Sequence, residues 1–196
     1  MRPRNEDKEN NVRQKALEML VSEGFDGFSM QKLAKAAGVS PATLYIYYKD
    51  KDDLITQLGI EEGKKMTEAT FKNFSPEMPF AEGLKIQWQN RADYWLSHRL
   101  ETCFFEQIKL SPYKFKVMQS INDNFKEVMG KFMCNAVNNK EVTDLPLEVF
   151  WSIAFAPLYN LIRFHQDGKS IGGRDFKLTE DFIDQTLKLV LKALKP

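Results

Sequence analysis

The sequence predicts an all-α protein: an N-terminal three-helix domain with a helix-turn-helix, followed by a larger helical domain, about nine helices in all. Three observations predict it. Apolar residues recur at three- and four-residue spacing along most of the chain, and no stretch alternates apolar and polar residues as a half-buried strand does. Breaker residues cluster at helix-length intervals. Residues 28–54, FSMQKLAKAAGVSPATLYIYYKDKDDL, hold two short helical patterns joined by a single glycine turn.

The first helix is expected from about Glu9 to Glu23, with Val12, Ala16, Leu17, Met19 and Leu20 inside and Gly24 at its end. Phe25 and Phe28 then cover the end of the module. The second helix begins at Ser29, whose hydroxyl can accept from an orphan N–H of the first turn. Leu33, Ala34 and Ala37 form its apolar stripe, and its alanines permit close approach. Gly38 supplies the left-handed turn, and Val39 plugs the corner. Ser40 and Pro41 restart the chain as cap and first helical residue. The third helix is short, Pro41 to Tyr47. Leu44 faces inward, and Pro41, Ala42, Thr43, Tyr45 and Tyr47 face outward. Asp50 caps the next helix, with Asp53 in capping-box position and Lys51 in the first turn. That helix runs through Leu54 and Leu58 towards Phe71 and links the module, 1–54, to the rest, 55–196.

Ser75, Pro76 and Pro79 then break the chain. Helices are expected at about Phe80–Ser97 and Leu100–Leu110, separated by Ser111-Pro112 from another at Lys114–Val137, which Gly130 would loosen. A polar loop, Asn138–Asp144, precedes a strongly apolar helix, Pro146–His165, which Pro157 would kink. Gln166–Arg174 is a glycine-bearing loop, and Thr179 caps a final helix ending near Leu194.

A helix that is narrow at its start and aromatic or hydroxylic further on suits entry into a DNA groove. Its small end approaches base edges and its hydroxyls reach phosphates. The stretch Ala37-Gly38-Val39-Ser40, with Ala42-Thr43-Leu44-Tyr45, Tyr47-Tyr48 and Lys51, resembles the tetracycline-repressor (TetR) family of bacterial regulators. Ala42 stands where that family often has glycine, and Tyr48 where it usually has phenylalanine. The resemblance implies that Ser29, Thr43, Tyr47 and Lys51 contact phosphates, with Ser40 capping the helix that carries Pro41, Ala42 and Tyr45 to the base edges. It implies a homodimer on a palindromic operator in double-stranded DNA, and a small-molecule effector that releases a repressor.

The formal net charge of +1 argues against a protein held on DNA by bulk charge. Even residues 1–55 are electrically balanced. A local face of Lys32, Lys35, Lys49 and Lys51, with Arg2 and Arg4 on the N-terminal arm, would supply the positive footprint. Cys103 and Cys134 form no C-x-x-C pair and are expected to be buried free thiols in a reducing cytoplasm. No membrane span is expected, because the apolar run around Phe150–Phe164 is interrupted by Ser152, Pro157, Asn160 and Arg163.

The last two long helices are the expected dimer surface, through Phe150, Ile153, Ala154, Leu158, Leu161 and Ile162 and through Ile183, Leu187, Val190, Leu191 and Leu194. The same pattern also fits an intramolecular core. The middle helices are rich in aromatics. Trp88, Trp95, Phe104, Gln107, Met118, Phe125, Trp151, Phe155, Tyr159 and Arg163 are the candidate lining of an effector pocket; residue by residue an ordinary aromatic core explains them better, and it is the architecture implied by the resemblance that favours a pocket. Two scattered histidines, His98 and His165, carry no metal-ligand spacing, and no phosphate loop or nucleophile elbow occurs. No cofactor, metal or catalytic residue is expected. The alternatives are an architectural DNA binder without small-molecule control and an all-α enzyme.

Overall fold

A computed structural model of the chain describes residues 6–196, apart from the side chains of Glu6, Asn122, Asp123 and Asn124. Arg2 and Arg4 lie outside the described residues. Ten α-helices occur among them: α1 Glu6–Gly27, α2 Met30–Ala37, α3 Pro41–Tyr47, α4 Lys51–Thr70, α5 Phe80–Ser97, α6 Arg99–Lys109, α7 Lys114–Asn138, α8 Leu147–Ala154, α9 Ala156–Asp167 and α10 Glu180–Leu194. The expected single helix over Pro146–His165 is two, α8 and α9, divided at Phe155. Pro157 accounts for the division, since it cannot donate to the preceding turn. Gly130 leaves α7 uninterrupted, and Gly24 sits at φ +70° inside the last part of α1.

Packing divides the chain into two units. The first takes in the chain as far as Met66 together with His98–Asn122; the second comprises Thr67–Ser97 and Asp123–Pro196. The division therefore falls within α4 and within α7.

In the first unit α1 packs on α2 and α6, and α2 on α3. Val12, Ala16, Leu17 and Leu20 of α1, Leu33 and Ala34 of α2, Leu44 of α3 and Leu54, Ile55 and Leu58 of α4 form one core with Phe104, Phe105 and Ile108 of α6 and Val117 of α7. The helical head is thus not closed by its own three helices. Two glycines of α4 let α7 approach. A Cβ at Gly59 would stand 2.9 Å from Val117, and one at Gly63 2.9 Å from Ile121.

In the second unit α9 packs against α5, α8 and α10, and α8 against α10. Phe74, Phe132, Phe80 and Phe150 are in ring contact in that order, edge to face, stacked and tilted in turn. Phe132 needs Gly83 of α5, where a Cβ would stand 2.6 Å from its ring. The Thr143 N–H donates to the carbonyl of Leu194 (2.9 Å) and fastens the end of α10.

Cys103 is half-buried and Cys134 exposed, and both are free thiols. The expected burial of Cys134 is corrected: it falls on an outward position of α7, beside exposed Lys131 and Asn138. Among the described residues no helix is long and apolar enough to cross a membrane.

Candidate functional site

The turn between α2 and α3 is built from local hydrogen bonds. Ser29 is extended at φ −144°, and its hydroxyl accepts from the Lys32 N–H (3.2 Å). Gly38 is left-handed at φ +67°, ψ +32°, a conformation a β-carbon disfavours, and its N–H returns to the carbonyls of Ala34 and Lys35. Asn11 of α1 donates to the Ala37 carbonyl (3.0 Å), satisfying another acceptor at the end of α2. Ser40 caps α3 by accepting from the Thr43 N–H (3.2 Å), and the two hydroxyls lie 2.9 Å apart.

Only Leu44 of α3 is buried, at 0% exposed. A seven-residue helix has too few hydrogen bonds to persist alone, so this one side chain and the Tyr48 that follows hold it in place. Pro41, Ala42 and Tyr45 are exposed, as a base-facing edge requires, while Ser29, Thr43 and Tyr47 are half-buried. Ile46 is the most exposed large apolar side chain of the helix, at 77%. Helical spacing alone places it on the outward side of α3, opposite Leu44.

Tyr48 is only 3% exposed. It anchors the end of α3 through Arg13 of α1, whose guanidinium also reaches Glu9 (2.9 Å) and Glu61 of α4 (2.6 Å). Burial works against the Arg13 charge, but the Tyr48 hydroxyl and the two carboxylates outweigh it and hold its pKa above the ordinary value. Burial also pushes the Tyr48 phenol up. Arg13 thus ties α1, the end of α3 and α4 together, a role the sequence does not reveal because Tyr48 and Glu61 lie far from it along the chain.

Asp50 caps the start of α4 as expected, accepting from the Asp53 N–H (2.8 Å), but the reciprocal bond of the capping box is displaced by one residue, with Asp53 accepting from the Lys49 N–H (2.9 Å). The Lys49 N–H, with Gln57, holds the Asp53 carboxyl below its ordinary range. Lys51 is half-buried, and its ammonium donates to the Phe25 carbonyl (2.6 Å), fastening the end of α1 to α4. Tyr113 donates to Asp52 (2.7 Å); burial and that carboxylate push its phenol up to about 12. Lys32 pairs with Glu23, whereas Lys35 and Lys49 are exposed.

The ten candidate pocket residues are divided between the units. Phe104, Gln107 and Met118 belong to the first, where Phe104 is 0% exposed and Gln107 donates to the Val21 carbonyl (3.3 Å). The other seven belong to the second. Trp88 is core, its indole donating to the Ala154 carbonyl (2.7 Å) in the last turn of α8. Trp95 and Tyr159 meet edge to face at 5.2 Å, and Arg163 is exposed. Phe125 and Trp151 line an apolar groove of about 560 Å³ with Met129, Met133, Leu147 and Phe150. Phe155 packs behind Trp151 at 4.7 Å. The sequence reading missed Arg91, which is 2% exposed beside Phe155. Burial pushes its pKa down, opposed by the Tyr159 hydroxyl. His165, in the last turn of α9, accepts from the Leu178 N–H through Nδ1 (3.2 Å).

On the α8 and α10 surfaces, Phe150, Ala154, Leu187, Val190 and Leu194 face inward. Leu147, Val149, Phe182 and Leu189 remain exposed.

Residues 13–58 match the sequence pattern of a family described as bacterial regulatory proteins, tetR family. An uncharacterised HTH-type transcriptional regulator of Haemophilus influenzae is 31% identical over 181 residues, covering 90% of each chain. The HTH-type transcriptional repressor AcnR of Corynebacterium efficiens is 30% identical over 150 residues, covering 73% of this chain and 76% of that one. The crystal structure of a TetR family transcription regulator from Marinobacter aquaeolei superposes with a TM-score of 0.79 at 24% identity, over 99% of this chain and 98% of that one, a likeness of fold.

Proposed function

The chain belongs to the tetR family of bacterial regulatory proteins and is a DNA-binding transcriptional regulator; from that premise we propose that it is a cytoplasmic, homodimeric repressor released from a palindromic operator by a small apolar or amphipathic molecule. Residues 1–54 are the reading head, and 55–196 carry effector binding and dimerisation. The observation that carries the first part is the exposed edge of Pro41, Ala42 and Tyr45 on a helix fixed from behind by Leu44. Those three residues meet base edges. Ser29, Thr43, Tyr47 and Lys51 meet phosphates, and Ser40 holds the start of the helix. The Ser29 hydroxyl keeps a hydrogen to donate after accepting from the Lys32 N–H, and the Thr43 hydroxyl does so when Ser40 is the donor of the bond between them. Lys51 would exchange the Phe25 carbonyl for a phosphate at the N-terminus of α4.

Repression is supported by the name of the AcnR relative. Dimerisation is supported by Phe182 and Leu189, which stay exposed on α10 with Leu147 and Val149 on the neighbouring α8. An isologous pairing of α8 and α10 covers them and sets the spacing of two reading helices. The groove beside Phe125 and Trp151 is the candidate effector site, and an effector acts only by binding the DNA-competent and released states unequally.

The test begins with genomic fragments retained by the purified protein. An inverted repeat is expected among them. Tyr47→Ala and Lys51→Ala should each weaken binding about uniformly across sequences, whereas Pro41 and Tyr45 substitutions should change sequence preference. Intact affinity in both alanine variants would show the phosphate contacts to be misassigned.

A further inference from the structure

Among the described residues, a buried cation in the second unit has no anion to match it. The guanidinium of Arg91 donates to the Gln87 carbonyl (3.1 Å) and to the side-chain oxygen of the same residue. It also bonds the Tyr159 hydroxyl and lies 4.3 Å over the Phe155 ring. All of these partners are neutral. Among the described residues no carboxylate forms an ion pair with it. Arginine does not shed its proton in proteins, so the charge stays. Buried charges are ordinarily matched by an opposite charge, because dipoles replace lost hydration only in part. The site is electrically incomplete as it stands.

Phe155 connects this charge to the apolar groove. Its ring lies under the Arg91 guanidinium and is also in contact, at a 42° tilt and 4.7 Å, with Trp151, a groove residue. It stands at the break between α8 and α9, with φ −125° and ψ −31°. A change of its side-chain rotamer leaves the backbone bonds of both helices in place. The groove also has Met129 and Met133, whose flexible thioethers adapt to varied shapes.

Building on the effector reading above, we propose that the effector is an anionic amphiphile: its carboxylate or phosphate-ester head neutralises Arg91, and its apolar body lies against Trp151 and Met129 in the groove. The planar guanidinium offers paired donors to either kind of head. A neutral molecule of the same body gains only the groove, and a cationic one meets repulsion.

Dodecanoate, dodecyl phosphate and dodecyltrimethylammonium, each below its micelle concentration, and dodecanol below its solubility limit, are titrated into the full chain by calorimetry and tryptophan fluorescence. At least one anion should bind roughly tenfold or more tighter than dodecanol, and the cation weakest. In Arg91→Met the anion preference should vanish while dodecanol affinity holds within about twofold, and Arg91→Lys should restore part of the preference. The head-group series on the unaltered protein needs no variant, so a misfolded Arg91→Met leaves it decisive. Failure of both anions to bind, anion affinity equal to that of dodecanol, or a preference that survives in folded Arg91→Met overturns the proposal. Whether dodecanoate or dodecyl phosphate binds tighter identifies the head. Operator affinity is measured separately: anion binding that leaves it unchanged upholds the Arg91 site and removes ligand control. Release by dodecanol at the same concentration as by the anions upholds ligand control and removes the charge.

Discussion

Leu44→Ala tests whether the reading helix is held by one side chain. Leu44 is fully buried and is the only buried residue of α3. Its truncation should cost about 2–5 kcal/mol, the range for a buried leucine cut to alanine. The reading helix has few other contacts with which to refill the space, so roughly 3 kcal/mol is the working figure. That is roughly a hundredfold in equilibrium constant, and a domain with a typical stability of about 5–15 kcal/mol survives it. The loss should fall first on α3 itself, loosening the segment from Ser40 to Tyr48 before the remainder unfolds. Urea titration measures the global part. Amide exchange of Thr43 to Tyr48 measures the local part, and anisotropy with a selected operator duplex measures the functional part. Ile46→Ala on the same helix is the control: at 77% exposure it should change stability by less than about 0.5 kcal/mol. A Leu44→Ala protein that loses less than about 1 kcal/mol, or that loses the expected amount yet binds operator as before, would refute this account of how α3 is held and what it reads.

Two glycines make opposite expectations on the same kind of change. Gly83→Ala should destabilise by about 1–3 kcal/mol, because the new methyl stands 2.6 Å from the Phe132 ring. Gly130→Ala, in open space within α7, should stabilise by about 0.5–1 kcal/mol through helix propensity; thermal unfolding of both variants reads the signs. The capping box of α4 predicts a pH dependence. Asp53 has a folded pKa below its ordinary value, so its contribution is full above about pH 4, the unfolded range, and is lost as pH falls through the folded value. Stability compared between pH 6 and pH 3 should therefore fall more in the unaltered chain than in Asp53→Asn, and equal slopes would discard the capping role.

The helix-turn-helix was legible because its signals are local. Ser29, Gly38, Ser40 and Asp50 act on backbone groups within four residues of themselves, and all four occupy the cap or turn positions the sequence assigns. The break at Pro157 was legible as a kink, and the structure places it two residues earlier, at Phe155, where it makes two helices of one. The aromatic set was legible only as a composition. Spacing puts residues on a helix face, but it does not say which helix that face meets. The lining expected from ten residues accordingly divides, with Phe104, Gln107 and Met118 in one unit and the rest in the other.

By itself the sequence determined the all-α class, the turn, its caps and the outward edge of Pro41, Ala42 and Tyr45, because hydrogen bonds three or four residues long and a 3.6-residue period dictate them. Only the tertiary structure decided that Arg13 joins Tyr48 and Glu61, that Gly83 makes room for Phe132, and that Arg91 is enclosed without a counter-ion among the described residues. Those facts depend on groups brought together from distant parts of the chain. Their energies come from volume filled and charge removed from water, and neither quantity exists until the helices have packed.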